Sequence, residues 1–155
     1  MPCWARPPLR DAQAHGSQDT ILTLQDSQDQ HTELSLADLD ALPQITIRTE
    51  TPWHSGMQEF RGPALLPLLR TYDMVDRGLL GQALNGYNAL LDVSSMTEAY
   101  PILATRRNGA LMPIRDLGPL FIVFPYSTLG LKTSQINSQS IWQLYALRSV
   151  TELPE

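Results

Sequence analysis

Residues 112–125 read MPIRDLGPLFIVFP, and this stretch decides how the rest of the chain is interpreted. Its second half, residues 120–124, is apolar at every position and is bounded by prolines. Such a run predicts a central strand that is buried on both faces. Arg115 and Asp116 stand just before it, so a charged loop leads directly into a buried element.

Short strands and tight turns lie on both sides of this stretch. Asn85-Gly86 and Asn108-Gly109 are each typical of a type I′ hairpin turn. The predicted strands cover residues 20–25, 44–50, 80–84, 87–92, 102–106, 120–124 and 141–150. The last of them is expected to be an exposed closing strand that could pair with a second copy of the chain.

Three short helices are predicted between these strands. A capping box of the S-x-x-D kind at Ser35 begins a helix that continues through Leu42. A second helix begins at Pro67, since proline is tolerated only in a first turn. A second capping box, at Ser95, begins a helix that ends before Pro101. Because strands outnumber helices and the helices are short, the sequence predicts one α+β domain.

Length and composition exclude several classes of protein. The chain has 155 residues, of which 43% are hydrophobic and 17% charged, with a net charge of −5. No apolar run approaches the roughly 18 residues of a membrane span, and the acidic balance argues against nucleic-acid binding. The single cysteine, Cys3, excludes an internal disulfide, a cysteine-ligated zinc site and an iron–sulfur cluster.

The domain is predicted to occupy residues 20–153. Residues 1–19 lack periodicity and carry three prolines, so we interpret them as a flexible arm or the remnant of a processed segment. Acidic side chains are concentrated in the N-terminal part of the chain. Residues 1–44 hold two basic and seven acidic side chains.

Common catalytic motifs are absent from the sequence. It contains no phosphate loop, no dinucleotide fingerprint and no G-x-S-x-G nucleophile elbow. Its three histidines, His15, His31 and His54, lack the spacing of metal ligands.

Two groups of residues predict a binding site for a flat, polar ligand. Trp53 follows a predicted strand in TETPWHSG, where it forms a pocket wall or closes the edge of the core, as Trp142 is expected to do. The second group is cationic and consists of Arg106, Arg107, Arg115 and Lys132. It favours an anionic or electron-rich ligand, although a solvated hairpin would show the same charges.

Asp116 lies within that cationic stretch. Its carboxylate could accept two parallel N–H bonds from an aminopyrimidine ring, pair with Arg115 or cap a turn. The sequence leaves open whether Asp116 contacts a ligand or only pairs with Arg115 or caps a turn.

The order of the motifs resembles a known family. The succession TIRTETPW, EFRGPALLPLL, ALNGY, ILATRRNG, MPIRDLGPLFIVFP and IWQL resembles the sulfite-oxidase-type molybdopterin-binding domain over roughly residues 20–150. More narrowly, it is similar to small stand-alone bacterial proteins of that fold, which are usually exported.

The resemblance implies a mixed α+β fold with a pterin pocket at the ends of its strands. In the large enzymes of the family a cysteine ligates molybdenum, and Thr49 falls about where that cysteine would be. A threonine hydroxyl is a poor substitute for a thiolate. The expected cofactor is therefore a pterin, tetrahydropterin-like or molybdopterin-like, without molybdenum.

By the same resemblance, Trp53 stacks on the pterin, Arg115 and Asp116 contact its polar edge, and the Gly118-Pro119 turn forms the floor. The predicted ligand-binding residues are Thr49, Thr51, Trp53, Asn85, Tyr87, Arg106, Arg115, Asp116, Gly118 and Pro119. Asn85 and Tyr87 line the mouth of the pocket or only form the hairpin. Lys132 meets an anionic tail of the ligand or is solvated.

The function that the resemblance implies is non-catalytic. It is a periplasmic pterin-binding protein that relays pterin levels to the periplasmic sensor region of a membrane-bound cyclic-di-GMP signalling enzyme. The alternatives are a molybdopterin-dependent oxidoreductase and an interaction domain without a ligand.

Overall fold

The computed structural model describes residues 19–75, 78–129 and 133–150. Lys132 and residues 1–18 of the predicted arm lie outside these described residues. The strands are β1 Thr20–Gln25, β2 His31–Ser35, β3 Gln44–Thr49, β4 Gln58–Pro63, β5 Gly78–Ala83, β6 Asn88–Leu91, β7 Ile102–Ala104, β8 Arg106–Arg107, β9 Ala110–Leu111, β10 Phe121–Val123 and β11 Leu144–Val150. The helices are α1 Leu36–Asp40, α2 Leu65–Thr71, α3 Tyr126–Leu129 and α4 Thr133–Gln139, with 3-10 turns at Val93–Ser95 and Ile114–Asp116.

These strands form three sheets. A five-stranded sheet has the order β2-β1-β11-β5-β6, a four-stranded sheet has the order β3-β4-β8-β9, and β7 pairs with β10 alone. The pairs are antiparallel except for β1 with β11, which is parallel. The predicted α+β class is confirmed.

The last strand is central, which corrects the expectation of an exposed closing strand. β11 pairs with β1 on one side and with β5 on the other, so neither of its backbone edges is free for a second copy. The buried strand predicted at residues 120–124 is confirmed as β10, whose three residues are all buried. It pairs with β7, and Phe121 also forms a bridge with Trp142.

Two apolar clusters fill the interior. The larger one packs leucines of the five-stranded sheet against α1, α2 and α4. The smaller one is centred on Phe60 and Phe121, both fully buried, and includes the neighbouring residues Ile47 and Met112. Trp53 and Trp142 pack against this smaller cluster, which therefore supports the candidate site.

Local capping chemistry accounts for α1. The Ser35 hydroxyl accepts a hydrogen bond from the Asp38 N–H at 3.1 Å, and the Asp38 carboxylate accepts one from the Ser35 N–H at 2.9 Å. The predicted capping box is confirmed, and the helix ends at Asp40 rather than at Leu42. α2 begins at Leu65, two residues before Pro67, which still lies in the first turn where its missing N–H costs nothing.

The helix predicted from Ser95 is wrong. A 3-10 turn covers Val93–Ser95 instead, because the Asp92 carboxylate accepts hydrogen bonds from the N–H and the hydroxyl of Ser94 at 3.2 and 2.6 Å. Thr97 then accepts from the N–H of Ala99 at 3.0 Å and closes a non-helical turn.

The two Asn-Gly pairs behave differently. Asn108 and Gly109 both have positive φ (54° and 85°), as a type I′ turn requires. At the other pair only Gly86 has positive φ, at 92°, and its N–H donates to the Ala83 carbonyl at 3.0 Å. That hairpin is predicted correctly, but its loop is a three-residue turn with a bulge rather than type I′.

Candidate functional site

The loop between β3 and β4 folds around one threonine. Thr51 is buried, and its hydroxyl oxygen accepts a hydrogen bond from the Trp53 N–H at 3.1 Å. The same oxygen lies 2.8 Å from Nδ1 of His54. This turn fixes Trp53 and His54 side by side, with both rings against the smaller apolar cluster.

Trp53 is half-buried among aromatic rings. Its ring centroid lies 5.2 Å from that of Trp142, 5.7 Å from Phe121 and 6.0 Å from Tyr126, all in edge-to-face orientation. The structure thus brings Trp53 and Trp142 together at the edge of the core, and Trp53 remains partly open to solvent. It could therefore pack against the core and a flat ligand at once.

Arg107 supplies the polar side of this site. Its guanidinium donates to Oε1 of Gln58 and to Oδ2 of Asp116, each at 2.9 Å. Asn108 donates to the same Gln58 oxygen at 3.0 Å. The Nε atom of Arg107 is buried and has no hydrogen-bond partner. An unpaired buried donor is costly, so Gln58 and Asp116 satisfy this guanidinium only in part.

His54 connects the aromatic and polar sides. Its ring centroid lies 5.8 Å from that of Phe60, and burial is the main cause that lowers its pKa. The positive charge of Arg107 lowers the pKa further, while Asp116 opposes this in part. The imidazole is therefore neutral at neutral pH. The pairing of His54 with Thr51 is not predictable from the sequence, because only the folded loop brings the two side chains together.

The lowered pKa of His54 predicts a pH dependence of stability. Near and below pH 6.5 the unfolded chain binds a proton at His54 that the folded chain resists, so folding stability falls as the pH drops through this range. His54→Gln should flatten this part of the profile of unfolding free energy against pH, measured by urea unfolding. His31→Gln, at an exposed position, is the control. An unchanged slope in His54→Gln would contradict the assignment.

The Thr49 hydroxyl is not suited to replace a thiolate that binds a metal. It is fully buried, and its hydroxyl oxygen accepts from the Ser127 N–H at 2.9 Å and lies 2.9 Å from the Glu50 carbonyl oxygen. The hydroxyl is thus committed to holding β3 against the start of α3. Within the described ranges, no group of three His, Cys, Asp or Glu side chains could hold a metal ion. At the position of Thr49 the described residues therefore offer no thiolate for a molybdenum–protein bond.

The structure separates the two neighbouring arginines. Arg106 is held by the Asp40 carboxylate in a two-pronged ion pair of 2.8 and 3.1 Å, and it takes no part in the Trp53 cluster. Successive residues of a strand face opposite sides, so Arg107 takes the position beside Gln58 and Asp116. Arg115 is exposed, and among the described residues it has no hydrogen bond or ion pair. Asp116 forms its ion pair with Arg107, and not with Arg115 as one of the sequence hypotheses has it.

Asn85 and Tyr87 are occupied by local contacts. The Asn85 side chain accepts from the Tyr87 N–H at 2.9 Å, and the Tyr87 hydroxyl donates to the Ser138 carbonyl at 2.9 Å. Gly118 is buried against the backbone of Met112, and Pro119 follows it in the loop that leads to β10. Contact of these four predicted residues with a ligand stays a prediction.

Two cavities among the described residues lie away from the cluster of Trp53, His54, Arg107 and Asp116. An apolar groove of about 350 Å³ is lined by residues that include Pro43, Ile45 and Leu68. A polar one of about 280 Å³ is lined by Asp26 and Arg148, among others. Neither of these two cavities includes Trp53 or Arg107.

Comparison with known proteins gives a match at the level of structure. No family model matches the chain, and no curated protein matches it by sequence. A solved structure with a similar fold is the sulfane dehydrogenase SoxCD from Paracoccus pantotrophus, with a TM-score of 0.62 and 15% sequence identity. The match covers 90% of this chain and 40% of that one.

At this identity the match shows the fold alone. It is compatible with the sulfite-oxidase-type fold that the sequence resemblance predicts. Because this chain spans less than half of the matched chain, the dehydrogenase activity of that protein is not transferred to it.

Proposed function

We propose that this chain binds a pterin at the cluster of Trp53, His54, Arg107 and Asp116, and that it does no redox chemistry of its own. The observation that carries the proposal is the partly exposed ring of Trp53 beside His54, which lies close enough to the Arg107 guanidinium for that charge to lower its pKa. A pterin presents both features that this arrangement matches, a flat ring and a polar edge.

The polar groups are suited to the edge of the ring. Asp116 is 51% exposed and uses Oδ2 for Arg107, so Oδ1 remains for an N–H of the ligand. The guanidinium of Arg107, whose side chain is 22% exposed, offers charged donors to a ring carbonyl or nitrogen. The ring face would pack on Trp53, as bases pack on aromatic side chains.

The surroundings of Thr49 support the non-catalytic part of the proposal. Its hydroxyl already has hydrogen-bond partners in Ser127 and Glu50, whereas metal ligation in this family relies on a thiolate. Ring stacking and hydrogen bonds need no metal. The alternative of a molybdopterin-dependent oxidoreductase therefore lacks a protein ligand for its metal at this position.

The family resemblance extends the proposal to signalling. We propose a periplasmic location and a relay to the periplasmic sensor region of a membrane-bound cyclic-di-GMP enzyme. No helix in residues 19–75, 78–129 and 133–150 is both long and apolar enough to cross a membrane.

The two adjacent arginines give a matched test of the binding site. Tetrahydrobiopterin titrated into the protein should quench tryptophan fluorescence, and Arg107→Met should weaken its binding about tenfold or more, since hydrogen bonds to charged groups contribute about 1.5–3 kcal/mol. Arg106→Met also removes one ion pair, with Asp40, and should change the Kd less than twofold. Equal effects of the two substitutions would contradict the proposed site.

A further inference from the structure

Two exposed apolar side chains outside the candidate site lie on segments that are both bonded to Gln143. Leu84, in the β5–β6 hairpin, is 50% exposed, and Ile114, in the 3-10 turn before β10, is 56% exposed. With Arg115 they form what we call the Leu84–Ile114 surface. Large apolar side chains exposed together, beside an arginine, are typical of the centre of a protein interface.

Gln143 holds the two segments of this surface together. Its carbonyl accepts from the Leu84 N–H at 2.9 Å, and its side-chain amide donates to the Ile114 carbonyl at 2.7 Å. Its own N–H donates to the Leu117 carbonyl at 3.1 Å. The backbones that carry Leu84 and Ile114 are therefore fixed in place, and a preorganised surface loses little entropy when a partner binds.

The surface carries an uncompensated positive charge. Arg115 is exposed without an ion pair among the described residues, and the adjacent Asp116 is committed to Arg107. The acidic excess of the chain lies in residues 1–44 and not in this region. A partner that covers the surface must bring a carboxylate to Arg115 to avoid burying an unpaired charge.

The same charge argues against a symmetric dimer through this surface. In a twofold interface the same patch faces itself, so both copies of Arg115 would be brought to one apolar centre. Like charges in such a position oppose association. The occupant is therefore expected to be a different chain.

We propose that the Leu84–Ile114 surface docks another protein through a short apolar segment flanked by carboxylates. The apolar residue of the segment lies over Leu84 and Ile114, and a carboxylate pairs with Arg115. The docking requires no bound pterin, so its test is separate from that of the proposed function.

Site-specific cross-linking in the native host tests which chain occupies the surface. Ile114 is replaced by the photoreactive residue p-benzoylphenylalanine in the full chain, and the cross-linked peptide is sequenced by mass spectrometry. The proposal expects another protein, cross-linked at a segment with Asp or Glu within four residues of an apolar side chain. No cross-link, a cross-link only to a second copy, or a segment without Asp or Glu would overturn it.

Binding of that segment then tests the charge. A synthetic peptide with its sequence should bind the wild-type chain and bind Arg115→Glu at least tenfold more weakly, and replacing its carboxylates with lysine should restore binding to Arg115→Glu. Leu84→Gln should also weaken binding at least tenfold. Arg61→Glu, at another exposed arginine, is the control and should stay within twofold. Equal affinity of Arg115→Glu and the wild type would overturn the proposal.

Discussion

Gly118→Ala is expected to lower the free energy of unfolding by about 3 kcal/mol, the upper end of what overpacking a well-filled interior costs. A Cβ atom at this position would lie 1.9 Å from the carbonyl oxygen of Met112 and 2.5 Å from its carbonyl carbon. Both are backbone atoms, so no side-chain rotation relieves the collision. Chemical unfolding in urea, compared with the wild type, measures the loss.

Gly56→Ala separates this collision from the general cost of replacing glycine. Gly56 has a positive φ of 76°, and a Cβ atom added there would have no other atom within 4 Å. Alanine at this position therefore costs only the roughly 1–2 kcal/mol of a left-handed backbone conformation. A smaller loss at Gly118 than at Gly56 would contradict the close packing of the loop that carries Asp116.

Phe121→Ala is expected to cost about 3–5 kcal/mol, the usual range for removing a buried aromatic ring. Phe121 is fully buried, and its ring contacts Trp53, His54, Phe60 and Trp142. Its loss removes the support behind the candidate site as well as part of the core. The near-ultraviolet circular dichroism of the tryptophans should weaken together with the unfolding free energy.

Two further variants make this expectation testable even if Phe121→Ala does not fold. Phe121→Leu keeps most of the apolar volume and should fold, with pterin affinity reduced because Trp53 loses an edge-to-face neighbour. Tyr145→Ala, at a 40% exposed position, should change stability by about 0.5 kcal/mol or less. Wild-type stability of Phe121→Ala would contradict the assigned core.

Local chemistry explains which elements could be predicted from the sequence. Ser35 and Asp38 stabilise the start of α1 with their own side chains, and Asn108-Gly109 adopts the φ values that its turn needs. At Ser95 an equally good motif fails, because Asp92 caps the backbone three residues earlier. The sequence shows both capping residues but not which of them the chain uses.

Strands that depend on distant partners were harder to predict. β2 and β4 were not predicted, although β4 joins β3 to β8 in the four-stranded sheet. Its residues, QEFRGP, mix charged and turn-forming types, so their alternation is weak. They form a strand because Gly62 lets the backbone of β7 approach closely, a long-range fact that the local sequence does not contain.

The candidate site was predicted in part for the same reason. The sequence predicts that Trp53, Thr51 and Asp116 bind a ligand. Trp53 and Asp116 belong to the cluster that also contains His54 and Arg107, and Thr51 lies beside it. The sequence places Arg106 and Arg107 in one cationic group and predicts only Arg106 as a ligand contact, whereas the pairing of Phe60 with Arg107 shows which of the two faces the cluster. A shift of one residue in that register would exchange them.

The central claim is that the chain binds a pterin, and thermal unfolding tests it most directly. The Tm is measured with tetrahydrobiopterin, with oxidised biopterin and without ligand, in the wild type and in Arg107→Met. A ligand at about 100 times its Kd adds about 2.7 kcal/mol to stability. We expect a rise in Tm of several degrees for the wild type with at least one of the two pterins, and a smaller rise for Arg107→Met. An unchanged wild-type Tm with both pterins would contradict it.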